Sequence, residues 1–139
     1  MTDESAEAVV ARWVTLYNDP EGPPLMPDLF TDDAVAEFTA STRSPAVTIV
    51  GKTAQVRRIS AFISGFRDWS FQVHEIVAEG ERVAIRYTWK ATCTVPVLDF
   101  EAGTSLRLDG STFFTVRDGL IARSSDVAGP MLKDEEKRK

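Results

Sequence analysis

The chain has 139 residues, 43% of them hydrophobic, which suffices for the core of one domain without disulfides or metals. Its formal net charge of −5 argues against nucleic acids and anionic membranes, because both require clustered basic charge. The single cysteine, Cys93, cannot form an intramolecular disulfide, and the acidic start from Met1 to Glu7 lacks the features of a signal peptide. We therefore expect a cytoplasmic protein that binds neither nucleic acid nor membrane.

Hydrophobic spacing divides the chain into a helical first part and a second part rich in strands. In the first part, apolar residues recur at helical spacing, and prolines and glycines interrupt the segments. In the second part, β-branched and aromatic residues alternate between turn signals at Gly80 and Gly119. The predicted elements are helices over 4–18 and 25–30, a helix capped by Thr53 with an apolar face that runs to Phe66, and strands over 34–38, 49–50, 70–78, 82–94, 104–116 and 120–126.

The long strands carry a signal for curvature. Asp109-Gly110 lies inside the strand over 104–116 and predicts a β-bulge, which would bend the sheet. Helices packed on one side of a bent antiparallel sheet leave a concave space of the kind that small molecules occupy. Residues 1–132 are thus predicted to form one α+β domain, and the mixed charges of residues 133–139 predict a solvated, frayed tail.

Three short phrases give the chain a family resemblance. They are Phe30 to Ala34, Val77 to Ala84 across a hairpin, and Phe114 to Ile121. In this order they resemble the nuclear-transport-factor-2-like superfamily, SnoaL-like branch, over about residues 5–128. The resemblance implies a cone-shaped, curved antiparallel sheet packed by N-terminal helices around a mostly apolar pocket, often in a homodimer. It does not imply one chemistry, because this fold carries isomerases, cyclases, dehydratases, hydrolases and non-catalytic binders.

Two catalytic residues are implied by comparison with relatives of this branch. In the register of limonene epoxide hydrolase, Arg86 and Asp126 match the arginine and one aspartate, whereas the second aspartate falls on Thr88. The tyrosine and asparagine that help hold the attacking water fall on Ala36 and Phe38, so epoxide hydrolysis is the less favoured reaction. SnoaL-like cyclases use an acidic residue near the end of the last strand, which is the region of Asp126.

The ketosteroid isomerase register leaves no catalytic set. Its aspartate base falls on Phe38, and its two oxyanion donors fall on Trp13 and Thr112. A carboxylate in an apolar cavity beside a guanidinium can be tuned for proton transfer near neutral pH, so Asp126 with Arg86 remains the best candidate pair. The alternative is a structural ion pair. The residues predicted to bind substrate are Trp13, Tyr17, Phe38, Phe62, Phe66, Trp69, Thr88, Thr112 and Phe114, although the aromatic ones can equally be core.

Strand alternation over 82–94 defines two faces. Arg86 and Thr88 share one face, which we assign to the pocket, whereas Tyr87 and Trp89 share the other with Ile85. The second row is too apolar for water, so we expect a homodimer through the sheet to cover it; the alternative cover is loops or the C-terminal segment.

Other titratable groups are weaker candidates. Glu37 is expected at the surface, and His74 lies on a strand whose phase is ambiguous. With one histidine and one cysteine, we expect no zinc site, and without a phosphate-binding or dinucleotide motif we expect no cofactor. The sequence therefore favours a cofactor-independent lyase, isomerase or cyclase that acts on a hydrophobic oxygenated small molecule, polyketide-like or steroid-like. The alternative is a non-catalytic, dimeric small-ligand-binding protein of the same fold.

Overall fold

The structure, a computed structural model, describes residues 5–40 and 45–135. Two residues suit the start of the first helix. The Ser5 side chain accepts from the Ala8 amide at 3.1 Å, and Glu7 places an acid in the first turn. Both stabilise a helix start. Glu4, the predicted first helical residue, lies outside the described residues. The elements are α1 (Ala6–Asn18), a 3-10 helix (Pro23–Leu29), β1 (Phe30–Phe38), β2 (Val47–Val50), α2 (Lys52–Ile63), β3 (Phe66–Glu79), β4 (Arg82–Cys93), β5 (Ser105–Arg117), β6 (Leu120–Ala128) and β7 (Leu132–Lys133).

The start of α2 differs from the prediction. Gly51 precedes the helix with φ at 95°, a conformation that favours glycine, and no side chain caps the helix there. Thr53 therefore lies inside the first turn, and its predicted capping role is wrong. The helix also ends earlier than its apolar face indicated, because Phe66 already belongs to β3.

The described strands form one seven-stranded sheet in the order β2-β1-β6-β5-β4-β3, with β7 paired to β5. The α+β class is confirmed. The antiparallel pairing predicted for the long strands is confirmed for β3 to β6. The sheet as a whole is mixed, because β1 and β6 run parallel, with Phe38 opposite Asp126. Side-chain alternation has the same period of two in both kinds of pairing, so it carries no information about the direction of the partner.

The sheet is irregular at other places than predicted. Asp109 and Gly110 pair in unbroken register with Thr88 and Tyr87, so the bulge predicted there is wrong. Register shifts occur instead in the β3–β4 pair, between Arg67 and Ser70 and after Val73, and in the β5–β6 pair after Thr115. Glycine at position 110 has a packing role, described below with the cavity.

Residues 133 and 134, where the predicted frayed tail begins, are held by sheet pairing and burial. Leu132 and Lys133 pair with β5, and Met131 is buried. Asp134 is only 2% exposed, and its carboxylate lies 3.7 Å from Lys90 Nζ. Local charge composition favoured a solvated tail from residue 133, but pairing and burial through residue 134 show otherwise. Residues 136–139 lie outside the described part of the chain.

Both α-helices pack on one face of the sheet, and this face contains the apolar row of β4. Tyr87 and Trp89 are 4% and 2% exposed, so our assignment of this row to the outer face is wrong. Alternation separates two rows, but only the helices decide which row is covered. The apolar row of β4 therefore no longer supports a dimer through the sheet, which stays a prediction. The open face of the sheet carries Phe113 and Val127, which are 55% and 47% exposed.

Helix α1 is tied to the sheet by a side chain at its last residue. Asn18 Nδ2 donates to the Phe71 carbonyl at 3.0 Å, and the Phe71 amide donates to Asn18 Oδ1 at 2.6 Å. One residue thus satisfies both the amide and the carbonyl of Phe71 on the edge strand β3. In the part of the chain that the structure describes, no helix is long and apolar enough to cross a bilayer.

Candidate functional site

A cavity of about 150 Å³ lies between the helices and the inner face of the sheet. Its lining is mostly aromatic and apolar, and the rings contact one another: Trp13 packs edge-on against Phe71 and Phe114, with centroids 5.2 and 5.5 Å apart. A concave apolar space with a few polar groups is typical of sites for small molecules. The aromatic lining includes Trp13, Tyr17, Phe38, Phe62, Phe71 and Phe114.

Among the described residues that line the cavity, Asp126 is the one with a carboxylate side chain. It lies on β6, directly opposite Thr112 of β5. The Thr112 hydroxyl donates to Asp126 Oδ1 at 2.9 Å, and the Tyr87 hydroxyl donates to the same oxygen at 2.7 Å. Hydrogen bonds to an ionised group are roughly twice as strong as neutral ones, so two of them fix the orientation of this carboxylate.

Tyr87 reaches Asp126 across the strand that separates them, and Gly110 leaves the space for it. Gly110 is the residue of β5 that pairs with Tyr87 of β4. A Cβ at Gly110 would lie 2.6 Å from Tyr87 Oη and 2.9 Å from the Val127 carbonyl oxygen. Phe71 stacks on the Tyr87 ring with centroids 4.3 Å apart, which holds the ring in this position.

Helix α2 contributes two further polar groups to the cavity. Gln55 is buried, and its Nε2 has no hydrogen-bond partner among the described residues. One turn later, the Arg58 guanidinium lies 4.3 Å from the centroid of the Phe38 ring. Because Phe38 is the β1 neighbour of Asp126, this contact brings a cation to the part of the cavity that contains the carboxylate.

Residues 8–124 match the SnoaL-like domain family. The chain belongs to the SnoaL-like family. This match confirms the resemblance carried by the three phrases of the sequence. A search of curated proteins gave no match.

Solved structures show the same fold in other SnoaL-like and related proteins. The chain superposes on IdmH of Streptomyces antibioticus, a candidate polyketide cyclase, with a TM-score of 0.76, 18% identity, and coverage of 90% of this chain and 92% of IdmH. A candidate SnoaL-like polyketide cyclase from Jannaschia sp. CCS1 gives 0.73 and 16%, covering 92% and 91%. A candidate ketosteroid isomerase from Kribbella flavida gives 0.66 and 20%, covering 93% and 81%. At these identities the likeness is one of fold.

Part of the predicted site comes together in this SnoaL-like chain. Asp126 lines one cavity together with a hydroxyl donor and aromatic rings, which are the kinds of neighbour that the sequence predicted. The predicted residues in its wall are Asp126, Trp13, Tyr17, Phe38, Phe62, Thr112 and Phe114. The predicted residues outside its wall are Arg86, Thr88, Phe66 and Trp69.

The expected pair of Arg86 and Asp126 is not formed. Arg86 lies on the open face of the sheet, where its Nε is 3.4 Å from Glu75 Oε1 and both side chains are more than half exposed. The prediction of this pair assumed that Arg86 faces the pocket. It is wrong because the helices cover the other row of β4, which contains Tyr87 and Trp89. Such an exposed ion pair contributes little to stability.

Thr88 also faces away from the cavity. Its hydroxyl donates to Asp109 Oδ1 at 2.6 Å and lies 2.6 Å from His74 Nε2. The hydrogen bond from Thr88 lowers the pKa of Asp109, and Arg107 lowers it further, while desolvation opposes both. His74 thus belongs to a network on the open face.

The remaining candidates have structural contacts. Glu37, expected at the surface, lies 2.7 Å from Arg123 and does not line the cavity. Phe66 packs edge-on against Trp89 with centroids 4.9 Å apart. Trp69 Nε1 donates to the Tyr17 carbonyl at 2.9 Å. The contacts of Phe66 and Trp69 belong to the core and to the packing of α1, which agrees with the alternative interpretation that these aromatic residues are core.

Sequence reasoning missed six residues with polar groups in the cavity wall: Tyr87, Trp89, Gln55, Arg58, Thr39 and Ser124. The first two follow at once if the apolar row of β4 is assigned to the helices. For Gln55 the available signal was its position four residues before Ile59, on the helix face that also contains Phe62. The described residues contain no cluster of His, Cys, Asp and Glu suited to a metal ion.

Proposed function

We propose that this SnoaL-like chain is a cofactor-independent enzyme that transfers a proton at a carbon next to a carbonyl group. Lyase, isomerase and aldol-cyclase reactions all begin with this step. The ligand would be a hydrophobic oxygenated small molecule, polyketide-like or steroid-like. One observation carries the proposal: Asp126 lines an apolar aromatic cavity and is oriented there by two buried hydroxyl donors.

Asp126 would act as the base and then as the acid. Its carboxylate removes the proton from the carbon, and the electron pair of the broken C–H bond moves to the carbonyl oxygen to give an enolate. The enolate then attacks a second carbonyl, expels hydroxide as water, or is protonated at another carbon, and the carboxylic acid of Asp126 returns the proton. A positioned acid–base group of this kind contributes roughly 10² to 10⁴ in rate.

Tyr87 and Thr112 would position the base. Both hydroxyls bind Oδ1, so they fix the plane of the carboxylate relative to the cavity. The aromatic walls exclude water, which strengthens the electrostatic interactions of the enclosed groups.

The volume of the cavity bears on the size of the ligand. An apolar cavity of about 150 Å³ accommodates one benzene ring, whereas drug-sized ligands occupy about 300–1,000 Å³. The enclosed space therefore suits one ring of the ligand, and a larger polyketide-like or steroid-like compound would extend through the mouth.

A binding protein without catalysis is the second candidate. The observation that favours it is the position of Arg86, because the ion pair expected to tune Asp126 is not formed. Aromatic walls and a few hydrogen-bonding groups are all that a binder requires.

Hydrogen–deuterium exchange distinguishes the two candidates. Proton NMR in D₂O would follow loss of the α-hydrogens of 2-tetralone with the wild type, Asp126→Asn and the control Glu37→Gln. The control removes a carboxylate from the outer face, at the residue next to Phe38, the β1 partner of Asp126. We expect exchange above the buffer rate with the wild type and the control, and a loss of at least about 100-fold in Asp126→Asn.

Two results would count against the enzyme. Equal exchange in the wild type and Asp126→Asn would remove Asp126 from the reaction. Binding of 2-tetralone without exchange above the buffer rate would favour the non-catalytic binder.

A further inference from the structure

We infer that the α2 wall of the cavity binds an oxo acid, a ligand whose ketone oxygen accepts from Gln55 and whose carboxylate pairs with Arg58. The inference rests on the proposed function, because it assigns the ligand of the same cavity. It adds what the carboxylate of Asp126 cannot supply: hydrogen-bond donors and a positive charge for the oxygens of the substrate.

The first observation is a pair of buried donors without partners. Gln55 and Trp89 are 5% and 2% exposed and line the cavity, and neither Gln55 Nε2 nor Trp89 Nε1 has a partner among the described residues. A buried N–H without an acceptor destabilises a fold, so native proteins satisfy nearly all of them. An oxygen acceptor on the ligand satisfies these two, and a hydrocarbon does not.

The second observation is a cation that has no carboxylate partner among residues 5–40 and 45–135. Arg58 lines the cavity, and its guanidinium stacks on the face of Phe38. By contrast, Arg123 pairs with Glu37 on the outer face of the sheet. The stacked guanidinium keeps its N–H fork for a planar anion, which a carboxylate matches with two parallel hydrogen bonds.

The spacing of the two residues is compatible with a ligand whose two polar groups lie a short distance apart on one side. Gln55 and Arg58 are three residues apart on one helix face, so their Cβ atoms lie about 5–6 Å apart. A ketone and a carboxylate separated by two methylene groups span a similar distance. The ring of such a ligand would occupy the aromatic part of the cavity, and its α-carbon would lie between the α2 wall and the strand of Asp126.

Binding of three probes tests the assignment. They are 3-benzoylpropionate, its methyl ester, which lacks the anion, and 4-phenylbutanoate, which lacks the ketone. Isothermal titration calorimetry would measure the Kd of each. We expect the wild type to bind 3-benzoylpropionate about tenfold more tightly than either analogue, and the preference over the ester to weaken with added salt.

Matched variants separate the two contacts. Arg58→Gln should abolish the preference for the acid over the ester, whereas Arg57→Gln, one residue earlier and exposed, should retain it. Gln55→Leu should abolish the preference for the ketone. It should also raise the melting temperature of the free protein, because it replaces an unpartnered buried amide by an apolar group of similar size.

The outcomes distinguish this inference from the proposed function. Equal binding of the acid and the ester, or no binding of any probe, overturns the oxo-acid assignment even if exchange of 2-tetralone depends on Asp126. Conversely, the protein could show the expected binding preferences but no exchange of the α-hydrogens of 3-benzoylpropionate. That result would support the oxo-acid assignment and overturn the proton transfer.

Discussion

Replacement of Gly110 by alanine tests how the site is built. The added Cβ would lie 2.6 Å from Tyr87 Oη and 2.9 Å from the Val127 carbonyl oxygen. Ordinary carbon contacts begin near 3.4 Å, so the hydroxyl must move by about 0.8 Å. That displacement would stretch its 2.7 Å hydrogen bond to Asp126 to about 3.5 Å, which is no longer a useful bond.

The expected cost has two parts. Overpacking of a buried site costs about 1–3 kcal/mol, and loss of a hydrogen bond to a charged group costs about 1.5–3 kcal/mol. Gly110→Ala should therefore lower the free energy of unfolding by about 2.5–6 kcal/mol, measured by urea denaturation. Gly65→Ala is the control, because its Cβ would meet only Val95 Cγ2 at 3.5 Å. It should change the same free energy by less than about 1 kcal/mol.

A double-mutant cycle with Tyr87→Phe measures the part of the cost that depends on the Tyr87 hydroxyl, through its contact with the added Cβ and its hydrogen bond to Asp126. In that background the hydroxyl is already absent, so Gly110→Ala should cost only the overpacking term of about 1–3 kcal/mol. The coupling energy should be about 1.5–3 kcal/mol. Additive effects within about 0.5 kcal/mol would refute the claim that Gly110 acts through Tyr87 on Asp126.

Three further changes test other parts of the structure. Asn18→Ala removes both bonds to Phe71 and should lower the free energy of unfolding by about 1–3 kcal/mol in urea; an unchanged value would show that α1 is not held there. Thr88→Val removes the main cause of the lowered pKa of Asp109, so that pKa should rise towards 3.8 in an NMR titration, and an identical titration curve would contradict this. A carboxyl with a lowered pKa stabilises the fold above its unfolded pKa and loses that contribution as pH falls through the folded pKa, so the variant should lose less stability in acid. Truncation after residue 130 removes the buried Met131 and the pairing of Leu132 and Lys133 with β5, and it should lower the melting temperature by several degrees; an unchanged value would show that this segment does not stabilise the fold.

The sequence predicted most of the fold because its signals are local. Helical spacing over residues 10–17 located α1, and the glycine turns at positions 80 and 119 located the two hairpins. Errors arose where the outcome depends on a distant partner: the parallel pairing of β1 with β6, and the packed end of the chain at Asp134. Neither partner is encoded within the segment itself.

The candidate site divides in the same way. The sequence by itself determined that the chain has the SnoaL-like fold, that Asp126 lies near the end of the last long strand, and that β4 has one apolar and one polar row. Only the tertiary structure decided which row faces the helices. The neighbour of Asp126 is therefore Tyr87 and not the predicted Arg86. The physical reason is that alternation fixes the relative orientation of side chains within a strand, whereas burial of the larger apolar area against α1 and α2 fixes the absolute one.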